Sequence, residues 1–161
     1  DKIPLLKPAI REGGTVTAAN SSSISDGAAA LELSADAGSA RARLLGQASH
    51  AQAPGWFTTA PVPAAQKLLA QIGLDKADVD LWEVNEAFAV VPMAFMAEMG
   101  LPREKVNVNG GACALGHPSG ASGARILVTL LHALEARGLK RGVAAICIGG
   151  GEGTAMAIER V

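Results

Sequence analysis

His117 and Cys147 are the side chains of this 161-residue sequence whose surroundings best suit chemistry. His117 lies within Asn109-Gly-Gly-Ala-Cys-Ala-Leu-Gly-His-Pro-Ser-Gly-Ala-Ser-Gly-Ala-Arg125, and Cys147 opens Cys-Ile-Gly-Gly-Gly-Glu-Gly153. Glycine beside a reactive side chain lets backbone approach a ligand closely. Pro118 fixes the chain after His117 and restricts His117 itself to extended geometry. A helix predicted to follow adds free N–H groups and positive potential. That setting suits an imidazole polarising a carbonyl oxygen; the plainer reading is a loop histidine bonded to a neighbour. Cys147 ends an apolar run. It is either a buried packing cysteine or a thiol acting as nucleophile or proton-transfer group, with glycine N–H groups beside it as oxyanion donors.

Other candidates carry less. Asn85 in Asn85-Glu-Ala-Phe88 reads either as a helix N-cap with Glu86 as a first-turn acid, or as a side chain orienting a water or a substrate oxygen. Cys113 reads as a small packing residue, and His50 and His132 as solvent-facing. Ser21, Ser22 and Ser23 read as a loop. Gly149-Gly-Gly-Glu-Gly153 has the wrong spacing for a dinucleotide fingerprint, and the Asn109–Arg125 segment lacks the lysine of a P-loop.

The length predicts one domain with a sizeable core. Hydrophobic residues make up 49% and charged residues 18%, with a net charge of −1. Such a balance offers no basic surface for nucleic acid and no acidic tail. Aromatics at 3%, with no tyrosine, argue against base-stacking platforms. Cys113 and Cys147 give neither a disulfide framework nor a Cys-x-x-Cys zinc pair, so no metal site is expected. The uncharged stretch Val106–Ala124 is too rich in Asn, Gly and Ser for a membrane span, and the first residues do not read as a signal peptide, so none is expected. A soluble, cytoplasmic protein is expected.

These residues need elements to position them. Residues 1–24 read as irregular. Gly27–Leu33 and Arg43–Ser49 are predicted strands, Pro54–Pro63 a loop, and Pro63–Ile72 a helix stopped by Gly73. Val79–Val84 is a predicted strand, Ala87–Met99 a helix, and Val106–Val108 extended. Ala121–Arg137 is the clearest helix, with Ile126, Leu127, Leu130, Leu131 and Leu134 on one stripe. Val143–Ile148 and Thr154–Ile158 are predicted as an antiparallel pair. Strands alternating with helices predict a layered α/β domain with a mixed sheet of about five strands.

Together, Val106–Arg125, Asn85-Glu-Ala-Phe88 and Cys147-Ile-Gly-Gly-Gly151 closely resemble the signature segments of thiolases. Gly14-Thr-Val-Thr-Ala, Ser25-Asp-Gly-Ala-Ala-Ala30 and Pro61-Val-Pro-Ala64 extend the resemblance from about Leu5 to Val161, and the acetyl-CoA acetyltransferase group is the most similar. The resemblance implies Claisen condensation of two acetyl-CoA, or thiolysis of a 3-oxoacyl-CoA, through an acyl-cysteine. It implies that His117 activates the nucleophilic cysteine and contributes to an oxyanion hole, that Asn85 holds a water there, and that Cys147 is the acid/base for the α-proton. It also implies that Gly149 donates to the second oxyanion hole and that Ser22, Phe57, Ala87 and Phe88 serve the CoA and acyl pocket. CoA thioesters are then substrates and no cofactor is expected. Acetyl-CoA or acetoacetyl-CoA, an N-terminal thiolase half and further copies in a dimer or tetramer are the expected partners.

The departures bear on that expectation. The family's nucleophilic cysteine belongs to an N-terminal half, and neither Cys113 nor Cys147 occupies its motif. The chain therefore reads as residues 1–24 of a preceding loop region and linker, then a C-terminal thiolase domain over 25–161, inactive alone. Phe57 stands where many members place Met, Thr59-Ala60 replace Ile-Gly, and Ala19 and Ser23 replace glycines. The alternative function is a non-catalytic, thiolase-like CoA-binding or assembly module.

Overall fold

The computed structural model describes residues 2–36 and 38–161. Four strands form one sheet: β1 (Ala42–Ala51), β2 (Leu81–Val84), β3 (Arg141–Ile148) and β4 (Glu152–Arg160), in the order β1-β4-β3-β2. β1 and β3 both run antiparallel to β4, whereas β2 runs parallel to β3 with Val84 opposite Ala145. The sheet is mixed, as expected, but has four strands rather than about five.

Each face carries a helical layer, and strand alternation sorts the core between them. Val143, Ala145 and Cys147 of β3, with Trp82 and Val84 of β2, pack toward α1 (Pro61–Ile72) and α2 (Val90–Met99), where they meet Leu68, Val91 and Phe95. Ala144 of β3 and Leu81 of β2 pack toward α4 (Ser122–Arg137), against Ile126, Leu130 and Leu134. The expected stripe of α4 is the one that is buried, with Leu127 and Leu131 at its margin. Glu83 shares the parity of Leu81, so the alternation sends a carboxylate into the α4 layer. A four-residue turn of helix, α3 (Ala112–Leu115), precedes the His117 loop.

Some expectations change. Gly27–Leu33 forms no strand: it joins no neighbour in the sheet, and Leu33 stays 82% exposed. A short apolar run cannot declare its own pairing partner. That segment passes beside the His117 loop instead, so that a Cβ on Gly27 would stand 2.7 Å from Pro118 Cγ. Pro54–Thr59 is a 3-10 turn rather than open loop, and α1 starts at Pro61 with proline in its first turn. His50 lies half-buried in β1, opposite Gly153, not in a solvent-facing loop. His132 is exposed, as expected.

Candidate active site

The parallel strands β2 and β3 deliver their C-terminal ends to one place, where ligands commonly bind in α/β sheets. Asn85 follows β2 directly, is 0% exposed, and donates its backbone N–H to the Ala145 carbonyl at 2.9 Å. Cys147 lies two residues further along β3. The helix-cap reading of Asn85 fails, because α2 starts only at Val90 with Ala89 at its cap. Nor is Glu86 a first-turn acid: its carboxylate accepts from Asn107 Nδ2 at 3.1 Å and from the Cys113 N–H at 3.0 Å.

Asn107 makes this departure from the sheet possible. Its side chain stands in for a strand partner: Oδ1 accepts from the Val84 N–H at 2.7 Å, and Nδ2 donates to the Val84 carbonyl at 2.8 Å. It has φ +47°, which asparagine tolerates better than most residues. With the end of β2 satisfied by a side chain, the next residue is free to turn its amide toward the site.

His117 approaches from the loop between α3 and α4. Its Nδ1 lies 2.6 Å from Ser122 Oγ, and its Nε2 lies 3.2 Å from Asn85 Nδ2. Ser122 is fully buried and spends its single hydroxyl proton on the Pro118 carbonyl at 3.0 Å. Ser122 Oγ therefore accepts from His117, which places the ring proton on Nδ1. The other side of the ring agrees. Arg125 Nη2 donates to Asn85 Oδ1 at 3.2 Å, so the amide must turn its NH2 edge to the imidazole. Nε2 accordingly carries the lone pair. Burial, and then the Arg125 charge, hold His117 below the usual histidine range. Neutral imidazole with its lone pair on Nε2 is the form that takes a proton.

Residues 20–25 fasten the two loops to each other. The Ser22 N–H and hydroxyl both donate to the Ala87 carbonyl, at 3.2 and 2.9 Å, and Ala89 donates to the Asn20 carbonyl at 2.9 Å. On the other side, the His117 N–H donates to the Ser23 carbonyl at 2.9 Å. Gly116 makes the fit possible: it has φ +93°, and a Cβ there would stand 2.1 Å from Ser25 Oγ.

Cys147 is buried at the α1/α2 face, and burial pushes its thiol up to about 11. Phe57, Ala87 and Phe88 pack against the same cluster, with the two rings edge to face at a centroid separation of 6.3 Å. Gly149 is exposed, with open space where a Cβ would be. The turn beyond it closes through the Gly151 N–H on the Ile148 carbonyl at 3.1 Å. Cys113 is half-buried, and burial together with Glu86 pushes its thiol up to about 11. Among the described residues no cluster of three or more His, Cys, Asp and Glu could hold a metal ion. No helix among them is long and apolar enough to cross a membrane.

The structure thus joins Asn85 to His117 and Ser22 to Ala87. It brings Cys147 to the same end of the sheet from the opposite layer, and no hydrogen bond between described residues links Cys147 to His117. Sequence reasoning missed Ser122, Arg125, Glu83 and Asn107. The available signals were an acid inside the apolar strand Leu81-Trp-Glu-Val84, and Ser122 and Arg125 one helical turn apart on one face.

The model of the thiolase C-terminal domain matches residues 39–160, and that of the thiolase N-terminal domain matches residues 1–37. The chain is 53% identical over 162 residues to an acetyl-CoA acetyltransferase of Escherichia coli, covering 97% of this chain and 41% of that protein. It is 51% identical over 153 residues to a cytosolic acetyl-CoA acetyltransferase of Mus musculus, covering 91% of this chain and 38% of that protein. Among solved structures, the Bacillus anthracis acetyl-CoA acetyltransferase superposes with a TM-score of 0.89 at 39% identity, covering 99% of this chain and 42% of its own. The Acat5 thiolase of Ascaris suum, solved with coenzyme A, superposes with a TM-score of 0.86 at 43% identity, covering 99% of this chain and 44% of its own. The chain spans about two-fifths of the length of the curated relatives it matches.

Proposed function

Because this chain belongs to the thiolase family, we propose that it supplies the proton-moving half of an acetyl-CoA C-acetyltransferase. The observation that carries the proposal is the His117 imidazole, held between Ser122 and Asn85 with its lone pair on Nε2. The nucleophilic cysteine comes from an N-terminal thiolase domain.

His117 Nε2 takes the proton of that cysteine. The thiolate attacks the carbonyl of one acetyl-CoA, and CoA leaves as a thiol by taking the proton of Cys147, which becomes a thiolate. Once protonated, Nε2 becomes a donor to the thioester oxygen, so one nitrogen serves first as base and then in an oxyanion hole. Asn85 fixes the oxygen or a water beside it. Cys147, as thiolate, then removes the α-proton of a second acetyl-CoA, with the Gly149 N–H among the donors to its oxygen. The resulting carbanion attacks the acyl-cysteine, forms acetoacetyl-CoA and regenerates the nucleophile. A thiol pushed up to about 11 rests protonated, ready to give its proton to the departing CoA, and its thiolate is a stronger base than that of an ordinary cysteine. Thiolysis reverses the sequence.

Ser22 has given its hydroxyl proton to Ala87 and retains lone pairs for an N–H of the pantetheine arm. Phe57, Ala87 and Phe88 form the apolar side of the acyl pocket. A cytosolic location and a dimer or tetramer belong to the same reading; the name of the mouse relative supports the location.

The test combines the chain with an N-terminal thiolase domain and measures acetoacetyl-CoA cleavage by CoA. His117→Ala and Cys147→Ala should each lower kcat by roughly 10²–10⁴-fold, the usual worth of a general acid–base group. Full activity in either variant would remove that residue from the mechanism. CoA binding without turnover in the combined protein would favour a binding or assembly module.

A further inference from the structure

Arg125 has no role in the chemistry just proposed, yet its guanidinium is enclosed beside that chemistry. It lies one turn beyond Ser122 on α4, with Nη1 3.4 Å from Glu83 Oε1 and Nη2 3.2 Å from Asn85 Oδ1. Its side chain is 18% exposed and that of Glu83 2% exposed. Its buried Nε–H has no hydrogen-bond partner among the described residues.

As a stabilising ion pair this arrangement is poor. The separation is long, one N–H is orphaned, and two charges have left water, where a packed apolar pair would serve the core as well. What the guanidinium does provide is a face that only donates. That matters because an asparagine amide can turn over with almost no change in shape. Turned over, Asn85 would set its NH2 against Arg125, donor to donor, and present its carbonyl oxygen to His117.

We infer that Arg125, anchored by the buried Glu83 carboxylate, is a positioning residue that acts on His117 through Asn85. It locks the amide with its NH2 edge toward Nε2, so the imidazole keeps its lone pair on the nitrogen that must take a proton. The inference deepens the reading of His117 as the base and rests on it. A carbonyl oxygen at that place would accept from the imidazolium and hold His117 protonated before any substrate proton arrived. The charged groups near His117 fit this account. Arg125 faces it from α4, Glu83 stands behind Arg125 on β2, and Glu86 is turned away to Asn107 and Cys113.

The inference separates from a simple charge effect by a double-mutant cycle read on the ring itself. The His117 imidazole would be titrated by NMR in this chain, with no acyl transfer involved. Arg125→Leu should raise the His117 midpoint by on the order of one pH unit, part from the lost charge and part from the freed amide. In an Asn85→Ala background the same change should produce half that shift or less. An equal shift with and without Asn85 would overturn the inference, as would no shift in either. Should Arg125→Leu leave Glu83 too costly to bury, the paired change Glu83→Gln with Arg125→Met removes both charges. It should show the same dependence on Asn85. Acyl transfer does not enter the measurement, so a failed activity test would leave it standing, and its failure would leave the activity reading intact.

Discussion

The chemistry of this site is written in proton positions, and one hydroxyl sets the first of them. Ser122 gives its proton to the Pro118 carbonyl and so can only accept from the imidazole. Ser122→Ala should leave the Nδ1–H without an acceptor in a buried place, at a cost of about 1–3 kcal/mol in denaturant unfolding. Ring nitrogen NMR should then show the neutral imidazole divided between tautomers. A single tautomer with the proton on Nδ1 in that variant would mean that Asn85 alone holds the ring. His117 and Cys147 were visible in the sequence because glycine crowds around them, and local crowding is a local signal. Arg125 was not. Its partners Glu83 and Asn85 stand 42 and 40 residues away, and only the fold brings them together.

Among the elements, the end of β2 is the critical junction. Val84 has both backbone groups satisfied by the Asn107 side chain rather than by a strand. Asn107→Ala should therefore cost on the order of 3 kcal/mol, since two buried backbone groups lose their partner. Asn107→Gly accepts φ +47° without strain and should still be destabilised; a wild-type melting temperature in the glycine variant would show that conformation, not hydrogen bonding, selects asparagine. Gly116→Ala tests the neighbouring loop. The added methyl has no room beside Ser25, so the His117 N–H should lose its bond to Ser23, and its hydrogen exchange should quicken while β3 and β4 stay protected. The helix α4 could be read from periodicity, and α1, α2 and the β3–β4 pair from run length and glycine or proline stops, with errors of a few residues at their ends. The predicted strand over 27–33 could not be refused on the same grounds. Its apolar run looks like a strand, and what it lacks is a partner, which no short sequence reports.

For the molecule as a whole, the buried acid makes stability depend on pH in an unusual sense. Burial is the main cause that pushes Glu83 up to about 7; Arg125 opposes the shift, and Glu86 adds to it. The folded chain therefore binds a proton there more tightly than the unfolded chain does. This contribution is complete below the ordinary carboxylate range and is lost as pH rises toward about 7. His117 works the other way. Held below its usual range, it contributes stability near neutral pH that is lost as pH falls past the unfolded histidine value. Chemical denaturation at a series of pH values should show these opposed slopes. Glu83→Gln should remove the first, leaving stability that rises with pH through the histidine range; an unchanged profile would place the Glu83 carboxylate in water.

The segment that ties Ala87, Ala89 and His117 together, residues 20–25, belongs to the stretch matched by the N-terminal family model, whereas everything it ties belongs to the C-terminal one. The seam between the two family models thus does not coincide with the edge of the working parts. A chain trimmed at that seam would keep its sheet, both helical layers and every candidate catalytic side chain. It would lose the stitching that makes the Asn85 and His117 loops move as one body. Domain exchange between thiolases at this boundary would then mix a strap from one parent with loops from the other. Compatibility at Asn20–Ser25 would decide whether such a hybrid works.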